Sequence, residues 1–462
     1  MGLTSHGPAL LDVAAGESKT IRAGAIGTYA SLSHLREFLG RLSYAIPVKQ
    51  SGHQLQPWKM DFPGLDVKGP LGFDILLDET VVESISAMEE EESLKAADRK
   101  TRIESSVNLY EQKFQDLVTS SSSLPDVVLL PLSKQLLKMC RDPNLKSDRI
   151  VYERRSMEKG PTESVPVFDF HHALKVVSYQ HGMTCQLIRP VTMSFGPSSQ
   201  EAATVAWNFA TALYYKGTGI PWKLADLDDR TCLVGIAFYE EIDAGGSVLR
   251  ASMAHVYVKS SDSQIIRGKP FRWEGDGRNR EPTLAKDQAK DIIKDVVELF
   301  RRQKRETPAR LVVHKTSAFT HEEISGFNEA AGGVEQVDYV HILAHDSGRF
   351  FHEGNDYPPV RGTMIGDGKS PYFLYTVGYV PSLGTYQGMA TPIPLVLDLA
   401  RIDTSPRRVG IDIMSLTKMD WNSTDFCQRE PVTTSVSRKV GHILAEMRAR
   451  NTEPPQPYRY YM

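Results

Sequence analysis

Short apolar runs alternate with amphipathic stretches in the middle of the chain, a pattern typical of α/β proteins. Asp126–Leu132 is almost wholly apolar, as expected of a strand buried on both faces. Apolar residues recur at helical spacing in Ala173–Val177, and Met183–Ile188 forms a second short apolar run. A further helix ends at Lys216, just before two glycines. The order strand, helix, strand, helix predicts a small doubly wound, Rossmann-like α/β domain.

A second pattern of apolar positions begins near Asp226. Three runs with strand character are followed by an amphipathic helix over residues 283–304 and by a further strand at Ala309–His314. The three runs are Cys232–Tyr239, Leu249–Val258 and Ile265–Trp273. Three antiparallel strands, a helix and another strand follow one another in the order expected of an RNase H-like fold.

The same patterns predict the remaining elements. A capping box of Ser198 and Glu201 predicts the start of the helix that ends at Lys216. Residues 361–399 are rich in glycine, proline and aromatic residues, which predicts hairpins. The remaining predicted helices are Ser31–Leu42, the charged stretch 88–105 continued through Phe114, Thr320–Ala331 and Pro431–Met447, and the remaining predicted strands are Phe73–Leu77 and Tyr339–Ala344.

Composition narrows the class of protein. The chain has 462 residues, enough for two or three domains, and its 41% hydrophobic and 24% charged content predicts a soluble globular protein. The net charge of −3 argues against a purely electrostatic nucleic-acid binder of the histone kind, although a local basic groove stays compatible with it. The four cysteines are far apart, which predicts neither a zinc motif nor a disulfide framework and fits a reducing cytoplasm. We see no signal peptide and no apolar run approaching the ~20 residues of a membrane span.

Four polar residues in the first α/β region suggest a phosphate site. His171 and Lys175 lie one turn apart on the same side of a predicted helix, Gln186 lies on the following strand, and Lys216 ends the next helix. Two long cations with two neutral hydrogen-bonding groups would suit a phosphate monoester. Taken by themselves, two lysines on helices are more often ordinary solvated residues.

The spacing of His171, Lys175, Gln186 and Lys216 resembles the pocket that holds the 5′-phosphate of the guide strand in the MID domain of Argonaute and PIWI proteins. One departure is visible, because Ala212 stands where the family often has a second glutamine. The resemblance also implies a divalent ion, such as Mg²⁺, shared between Gln186 and the carboxylate of the last residue, Met462.

The second region resembles a PIWI domain that has lost its catalytic acids. Active members of that family hold two divalent ions on acidic side chains. Ala237 stands where the first strand should carry an aspartate, and Thr316 stands where a second acid should follow the helix. Glu241 is four residues further along the strand, roughly 13 Å away, and cannot replace the first acid without a shift. The resemblance therefore implies that this protein does not cut its target.

Shorter motifs extend the resemblance over residues 120 to 462. The segment Gly219–Leu224 resembles the junction before the first PIWI strand, and Met419–Thr424 resembles a segment of short bacterial members, although Trp421 and Asn422 could equally form a structural corner. Arg438 and Lys439 could contact guide phosphates or be ordinary exposed charges. We accordingly predict an N-terminal region over residues 1–120 that is part of MID or packs on it, a MID domain over 121–225, and an inactive PIWI domain over 226–462.

The length leaves no room for the additional N and PAZ domains of a long Argonaute, so the sequence resembles a short prokaryotic Argonaute. That resemblance implies a cytoplasmic sensor, with no membrane association, that uses a 5′-phosphorylated small guide RNA to find complementary single-stranded DNA. It also implies a partner protein with an APAZ region and an effector, most often a Sir2-like or TIR NADase and sometimes a nuclease, which acts in defence against phages and plasmids. Two other interpretations stay open. The protein could be a slicer whose metal site is misaligned here, or an assembly protein whose pocket stays empty.

Overall fold

The computed structural model describes residues 2–9, 19–49, 57–140, 169–196, 200–242, 248–258, 263–272, 282–344, 348–350, 358–386, 388, 391–423 and 425–462. These residues form two β-sheets with helices packed against them, so the α/β class expected from the sequence is confirmed. None of the described helices is both long and apolar enough to cross a membrane.

The first sheet has four parallel strands in the spatial order β2 (Phe73–Ile85), β1 (Lys19–Thr28), β3 (Val127–Pro131) and β4 (Cys185–Ile188). Helices cover both of its faces, as the doubly wound pattern predicts. One face packs on the helices Tyr29–Leu42 and Ala202–Lys216, and the other packs on the helices Arg99–Ser120 and Phe170–Gln180. The elements of this half, in chain order, are α1 (Gly2–His6), β1 (Lys19–Thr28), α2 (Tyr29–Leu42), β2 (Phe73–Ile85), α3 (Ala87–Ser93), α4 (Arg99–Ser120), β3 (Val127–Pro131), α5 (Lys134–Cys140), α6 (Phe170–Gln180), β4 (Cys185–Ile188), α7 (Pro190–Met193) and α8 (Ala202–Lys216).

The N-terminal 120 residues supply two of these four strands. The central strand β1 pairs with β2 on one side and with β3 on the other, with Ala23 opposite Val127. Strand β2 extends well beyond the Phe73–Leu77 run predicted from sequence. The charged stretch after it forms two helices, which Ser86 and Asp98 cap with their side chains. Residues before 121 therefore contribute to the same core as the strands that follow them.

Helix α8 begins at Ala202, and its N-cap residue Glu201 makes no capping hydrogen bond with its side chain. The predicted capping box is therefore wrong, because Glu201 lies at the N-cap and not three residues into the helix; Ser198 lies outside the described residues. The predicted helix itself is present, and it ends at Lys216 as the following glycines indicate.

The second sheet has eight strands in the order β10-β11-β12-β9-β8-β5-β6-β7. Its centre has the arrangement predicted for an RNase H-like fold, because β5, β6 and β7 are antiparallel while β8 and β9 run parallel to β5. The elements of this half are β5 (Thr231–Ile242), β6 (Val248–Tyr257), β7 (Gln264–Arg267), α9 (Lys286–Lys304), β8 (Arg310–Lys315), α10 (His321–Ala330), β9 (Gln336–Leu343), β10 (Met364–Ile365), β11 (Tyr372–Leu374), β12 (Leu395–Ile402), α11 (Pro406–Leu416) and α12 (Val432–Ala449), with short 3₁₀ helices at Pro381–Leu383 and Tyr458–Tyr460.

Some predicted boundaries in this half were wrong. Strand β7 is shorter than predicted and ends at Arg267, after which the Gly268 N–H donates to the Ser252 carbonyl; the predicted end, Trp273, lies outside the described residues. The glycine-rich and proline-rich region 361–399 does form antiparallel strands, with β10 on β11 and β11 on β12.

Helix α12 joins the two halves. Its apolar face packs on β5 and β6 through Val436, Val440 and Ile443, while the same helix also contacts α6 of the first half. The contact with β5 is very close, because a Cβ atom at Gly235 would lie 1.8 Å from the Thr433 carbonyl oxygen. Glycine is therefore required at this position of β5, and α12 is held where it can shape a site on α6.

Candidate functional site

The four residues singled out from sequence occupy three neighbouring elements of the first half. His171 and Lys175 lie on α6, Gln186 lies on β4 opposite Leu129 of β3, and Lys216 is the last residue of α8. Asp169 caps α6, because its carboxylate accepts a hydrogen bond of 3.0 Å from the His172 backbone N–H. The cap fixes the first turn of the helix, which carries His171.

Lys216 is buried, with only 3% of its surface exposed. Its ammonium donates hydrogen bonds of 2.7 Å to the Cys185 carbonyl and of 2.7 Å to Oε1 of Gln186. The interpretation of Lys216 as an ordinary solvated lysine is therefore wrong. A charged lysine is costly to bury without compensating hydrogen bonds, and the Cys185 carbonyl and Gln186 supply such bonds here.

Lys175 connects the first half to the end of the chain. Its ammonium donates a hydrogen bond of 3.0 Å to the Tyr461 carbonyl. Two further hydrogen bonds hold the terminal segment, because the Tyr458 N–H donates to the Ser263 carbonyl and the Tyr461 hydroxyl donates to the Pro455 carbonyl within the segment itself. Met462 follows with 6% of its surface exposed.

The electrostatics of the site favour an anion. Burial and the neighbouring charge of Lys175 hold the pKa of His171 well below its ordinary value. Burial lowers the pKa of Lys175 to about 8, and burial together with Lys175 lowers the pKa of Lys216 to about 7. Three groups that can carry positive charge thus lie close together, and an anion bound among them would favour their protonated forms.

Ala212 lies one turn before Lys216 on α8 and is buried with 3% of its surface exposed. It packs in the same core as Tyr215 and Val176, so this position offers no polar side chain. The polar side chains that the described site could offer to a ligand are therefore the two lysines, Gln186 and His171.

Sequence reasoning missed two residues of this region, Asp169 and His172. The carboxylate of Asp169 and the rings of His171 and His172 place one ligand atom each within 4.8 Å of one another. Burial lowers the pKa of His172 to about 4, so the ring is neutral at pH 7. Asp169 at the start of a predicted helix was recognisable as a capping residue, but the sequence did not indicate that it would lie beside His171 and His172 as a possible metal ligand.

The centre of the second sheet carries no described metal site. Ala237 is buried and pairs with Met253 of β6, and Thr316 directly follows β8. Among the described residues, the Asp169, His171 and His172 group is the only set of three that could hold a metal ion. The side chain of Glu241 lies outside the described part of the chain.

A buried ion pair lies next to Thr316. Lys315 and Glu323 are both fully buried, and the lysine ammonium lies 2.5 Å from the glutamate carboxylate. The same carboxylate accepts hydrogen bonds from the backbone N–H groups of Leu284 and Thr320. Glu323 is thereby engaged in holding α10, which makes it a structural carboxylate in this structure.

The other motifs find structural partners. The Trp222 indole donates a hydrogen bond of 2.7 Å to the Lys418 carbonyl, and the Trp421 ring packs on Tyr215 with centroids 4.6 Å apart. Trp421 thus forms a packed corner beside α8. Lys439 is exposed and lies 3.6 Å from Asp420, while the side chain of Arg438 lies outside the described residues.

Comparison with known proteins gives a consistent picture of the fold. Neither the protein-family models nor the curated proteins compared with this sequence gave a match. Among solved structures, Clostridium butyricum Argonaute bound to a guide DNA and a 19-mer target DNA is similar over 96% of this chain, with 14% identity and a TM-score of 0.63. Drosophila Piwi is similar over 96% with 13% identity and a TM-score of 0.58, and A. aeolicus Argonaute over 100% with 14% identity and a TM-score of 0.57.

The chain spans about half the length of these solved structures, covering 50% of the first two and 52% of the third. At this level of identity the likeness concerns the fold. The chain therefore has an Argonaute-like fold, in which a Rossmann-like MID half is followed by an RNase H-like PIWI half.

Proposed function

We propose that this protein is a guide-dependent nucleic-acid sensor, which binds the 5′-phosphate of a small guide strand and recognises a complementary target without cutting it. The observation that carries the proposal is the burial of Lys216 against Gln186, with Lys175 and His171 close by. Lysines in such a place, with depressed pKa values, are expected at a site that receives an anion.

In this proposal the pocket acts through charge and hydrogen bonding. Lys175 and Lys216 donate to the phosphate oxygens, and the neutral groups His171 and Gln186 supply further hydrogen bonds. Fixing the 5′ end would leave the guide bases to read the target by pairing, so that sequence specificity would come from the nucleic acid.

A divalent ion such as Mg²⁺ is part of the proposal. Gln186 and the carboxylate of Met462 offer the oxygen ligands that Mg²⁺ prefers, and the ion would neutralise phosphate charge at the guide end. Met462 directly follows Tyr461, whose carbonyl accepts a hydrogen bond from Lys175. The last residue is therefore close to a lysine that would donate to the phosphate. In this arrangement Gln186 and Met462 would bind the ion, and the two lysines and His171 would bind the phosphate oxygens directly.

We propose a guide RNA and a single-stranded DNA target on the basis of the resemblance to short prokaryotic Argonautes. The Clostridium butyricum protein is bound to a guide DNA and a target DNA, so a DNA guide is the natural comparison. The two guides differ in the 2′-hydroxyl, which a protein can use to tell them apart. Matched RNA and DNA guides of one sequence would decide between them.

The absence of cutting is supported by the residues at the centre of the second sheet. Ala237 and Thr316 offer no carboxylate, and the nearby Glu323 is engaged with Lys315. A slicer whose acids lie elsewhere in the chain is the alternative. Magnesium-dependent cleavage of a target, lost on removal of one carboxylate, would favour that alternative.

The partner and the biological role rest on the resemblance alone. We propose that target recognition activates a separate APAZ-containing subunit with a Sir2-like or TIR NADase, which depletes NAD⁺ in a cell invaded by a phage or plasmid. A DNase effector is the second possibility. An assembly protein with an empty pocket is the third, and it predicts that no nucleic acid copurifies.

The proposal is tested by isolating the protein with its partner and extracting the nucleic acid that copurifies. The Lys175→Met plus Lys216→Met variant keeps the approximate length of both side chains and removes their charges. Lys134→Met plus Lys369→Met is the matched control, because both of these lysines are exposed. Short 5′-phosphorylated strands in the wild type and the control, lost in the pocket variant, would support the proposal. The same mixture in all three, or none in any, would contradict it.

A further inference from the structure

The start of helix α6 brings together three side chains that could bind a metal, of which only His171 belongs to the proposed phosphate pocket. Asp169, His171 and His172 place their ligand atoms within 4.8 Å of one another. One of these pairs is closer, with Nδ1 of His172 lying 3.6 Å from Oδ1 of Asp169. Two imidazoles and a carboxylate within one helical turn form a compact set of N and O donors.

We propose that Asp169, His171 and His172 bind one divalent transition-metal ion of the Zn²⁺ class. Bond lengths of about 2.0–2.1 Å place neighbouring ligand atoms of a tetrahedral ion about 3.3 Å apart. The Asp169 and His172 pair is close to that separation, and the ligand atom of His171 lies within 4.8 Å of both, so a small closing movement of the side chains completes the site. Three protein ligands leave a fourth position open.

The ligand types select the metal. Imidazole nitrogen favours Zn²⁺, Co²⁺ and Ni²⁺, whereas Mg²⁺ prefers oxygen ligands and keeps its water. This set is therefore different in kind from the Gln186 and Met462 oxygens proposed for Mg²⁺. An imidazole in its neutral form offers a ring-nitrogen lone pair to such an ion.

The surroundings hold the ligands in place. The His172 ring stacks on His442 of α12, with centroids 5.8 Å apart and the planes inclined by 6°. Glu446 of the same helix accepts a hydrogen bond from the Asp169 backbone N–H. The site thus lies where α6 meets α12, and a second layer of groups from the other half orients the ligands, as is usual around bound metals.

Asp169 has two roles that can be separated. Its Oδ1 accepts the hydrogen bond that caps α6, and its negative charge would serve the metal. Asparagine caps a helix about as well as aspartate but offers the metal no negative charge. Asp169→Asn is therefore a variant that keeps the helix start and weakens the site.

A metal at this place would also act on the guide, an effect that rests on the proposed function. An imidazole that binds a metal through one nitrogen keeps an N–H on the other, so His171 could still donate to a phosphate. The ion would add positive charge beside Lys175. We therefore expect Zn²⁺ to strengthen the binding of a 5′-phosphorylated guide.

The test uses the full-length protein freed of metal with EDTA and dialysed. Zn²⁺ and Mg²⁺ are titrated by calorimetry, and Co²⁺ by its visible absorption, in the absence of any nucleic acid. The wild type should bind one equivalent of Zn²⁺ or Co²⁺ per chain, and Mg²⁺ should compete poorly. Asp169→Asn and His172→Gln should each weaken Zn²⁺ binding at least about 10- to 100-fold.

The matched control is His34→Gln, which changes an exposed histidine of α2 far along the chain. It should bind Zn²⁺ as the wild type does. No binding by the wild type, equal binding by the Asp169→Asn and His172→Gln variants, or an equal loss in the His34→Gln control would each overturn the proposal. Melting curves in EDTA show that the variants fold.

Guide binding measured with Mg²⁺ present and without any transition metal separates this proposal from the proposed function. A wild type that binds a 5′-phosphorylated guide under these conditions, but takes up no Zn²⁺, would refute the transition-metal site and leave the phosphate pocket standing. A protein that binds Zn²⁺ through Asp169 but shows no preference for a 5′-phosphate would support the metal site and refute the pocket.

Discussion

The ammonium of Lys216 lies 2.7 Å from Oε1 of Gln186, and the lysine is almost fully buried. The ammonium of Lys216 thereby links helix α8 to strand β4 in a place that is almost inaccessible to water. The second hydrogen bond of the ammonium goes to the Cys185 carbonyl, so the lysine is held by a side chain and by the backbone of one strand.

Replacing Lys216 with methionine should remove most of the preference for a phosphorylated guide. A hydrogen bond to a charged group contributes about 1.5–3 kcal/mol, so the affinity should fall roughly 10- to 150-fold. Fluorescence anisotropy with a labelled guide measures this change. Lys369→Met, which alters an exposed lysine, should bind as the wild type does. An unchanged affinity in Lys216→Met would show that the phosphate binds elsewhere.

Guide affinity should depend on pH through the two lysines. Burial lowers the pKa of Lys216 to about 7 and that of Lys175 to about 8, and a bound phosphate favours their protonated forms. Affinity for a 5′-phosphorylated guide should therefore fall as the pH rises from about 7 to about 9, with protons taken up on binding. Calorimetry in buffers of different ionisation enthalpy measures the uptake. A guide ending in a 5′-hydroxyl is the control and should show a flatter profile.

The same shifts predict the pH dependence of stability in the free protein. The pKa values of both lysines in the folded state lie below the unfolded value of 10.5. At a pH between the folded and unfolded pKa values, the unfolded state therefore binds more protons than the folded state. The contribution of these lysines to the free energy of unfolding should thus rise as the pH rises through that window. Lys216→Met should flatten this rise in urea unfolding measured from about pH 7 to about pH 9. A wild type and variant with parallel profiles would contradict the assignment.

Lys315 should matter for stability and not for a reaction. Methionine at this position leaves the carboxylate of Glu323 buried without its partner, which should cost about 3–5 kcal/mol of unfolding free energy. The double variant Lys315→Met plus Glu323→Gln removes both charges and should cost less. Urea unfolding measures both. Equal stability of the single variant and the wild type would show that the pair is unimportant.

No cleavage of a complementary target should occur with Mg²⁺ or Mn²⁺. Ala237 and Thr316 supply no carboxylate to hold the ions that such a reaction needs. A labelled target strand incubated with guide-loaded protein and resolved on a denaturing gel checks this. A product that appears only with metal and guide would identify the protein as a slicer.

The sequence allowed the fold class and the order of many elements to be predicted, because long amphipathic helices and apolar strands have clear periods. It did not reveal β1, the central strand of the first sheet. That strand contains Gly24 and Gly27, which sit where added Cβ atoms would lie 2.8 Å from the Val81 carbonyl and 2.7 Å from the Ser31 hydroxyl. Small residues are required there for close packing, and the small residues Ala23, Gly24 and Ala25 interrupt the β-branched pattern by which strands are recognised.

The phosphate pocket was predictable in its residues but not in its burial. The spacing placed His171, Lys175, Gln186 and Lys216 on the right elements, but the sequence around Lys216 did not indicate that its side chain would be buried. The burial of Lys216 depends on strand β4 and on the end of the chain, which is distant in sequence but contacts Lys175. Asp169 and His172 were missed for the same reason, since their neighbours on α12 come from the other half of the chain.

The most direct test of the account compares one guide sequence with a 5′-phosphate and with a 5′-hydroxyl, bound to the wild type and to Lys175→Met plus Lys216→Met. The account predicts that the wild type binds the phosphorylated guide at least about tenfold more tightly, and that the double variant loses this preference while its affinity for the hydroxyl guide changes little. Equal binding of both guides by the wild type would contradict the central claim that this pocket holds a guide 5′-phosphate.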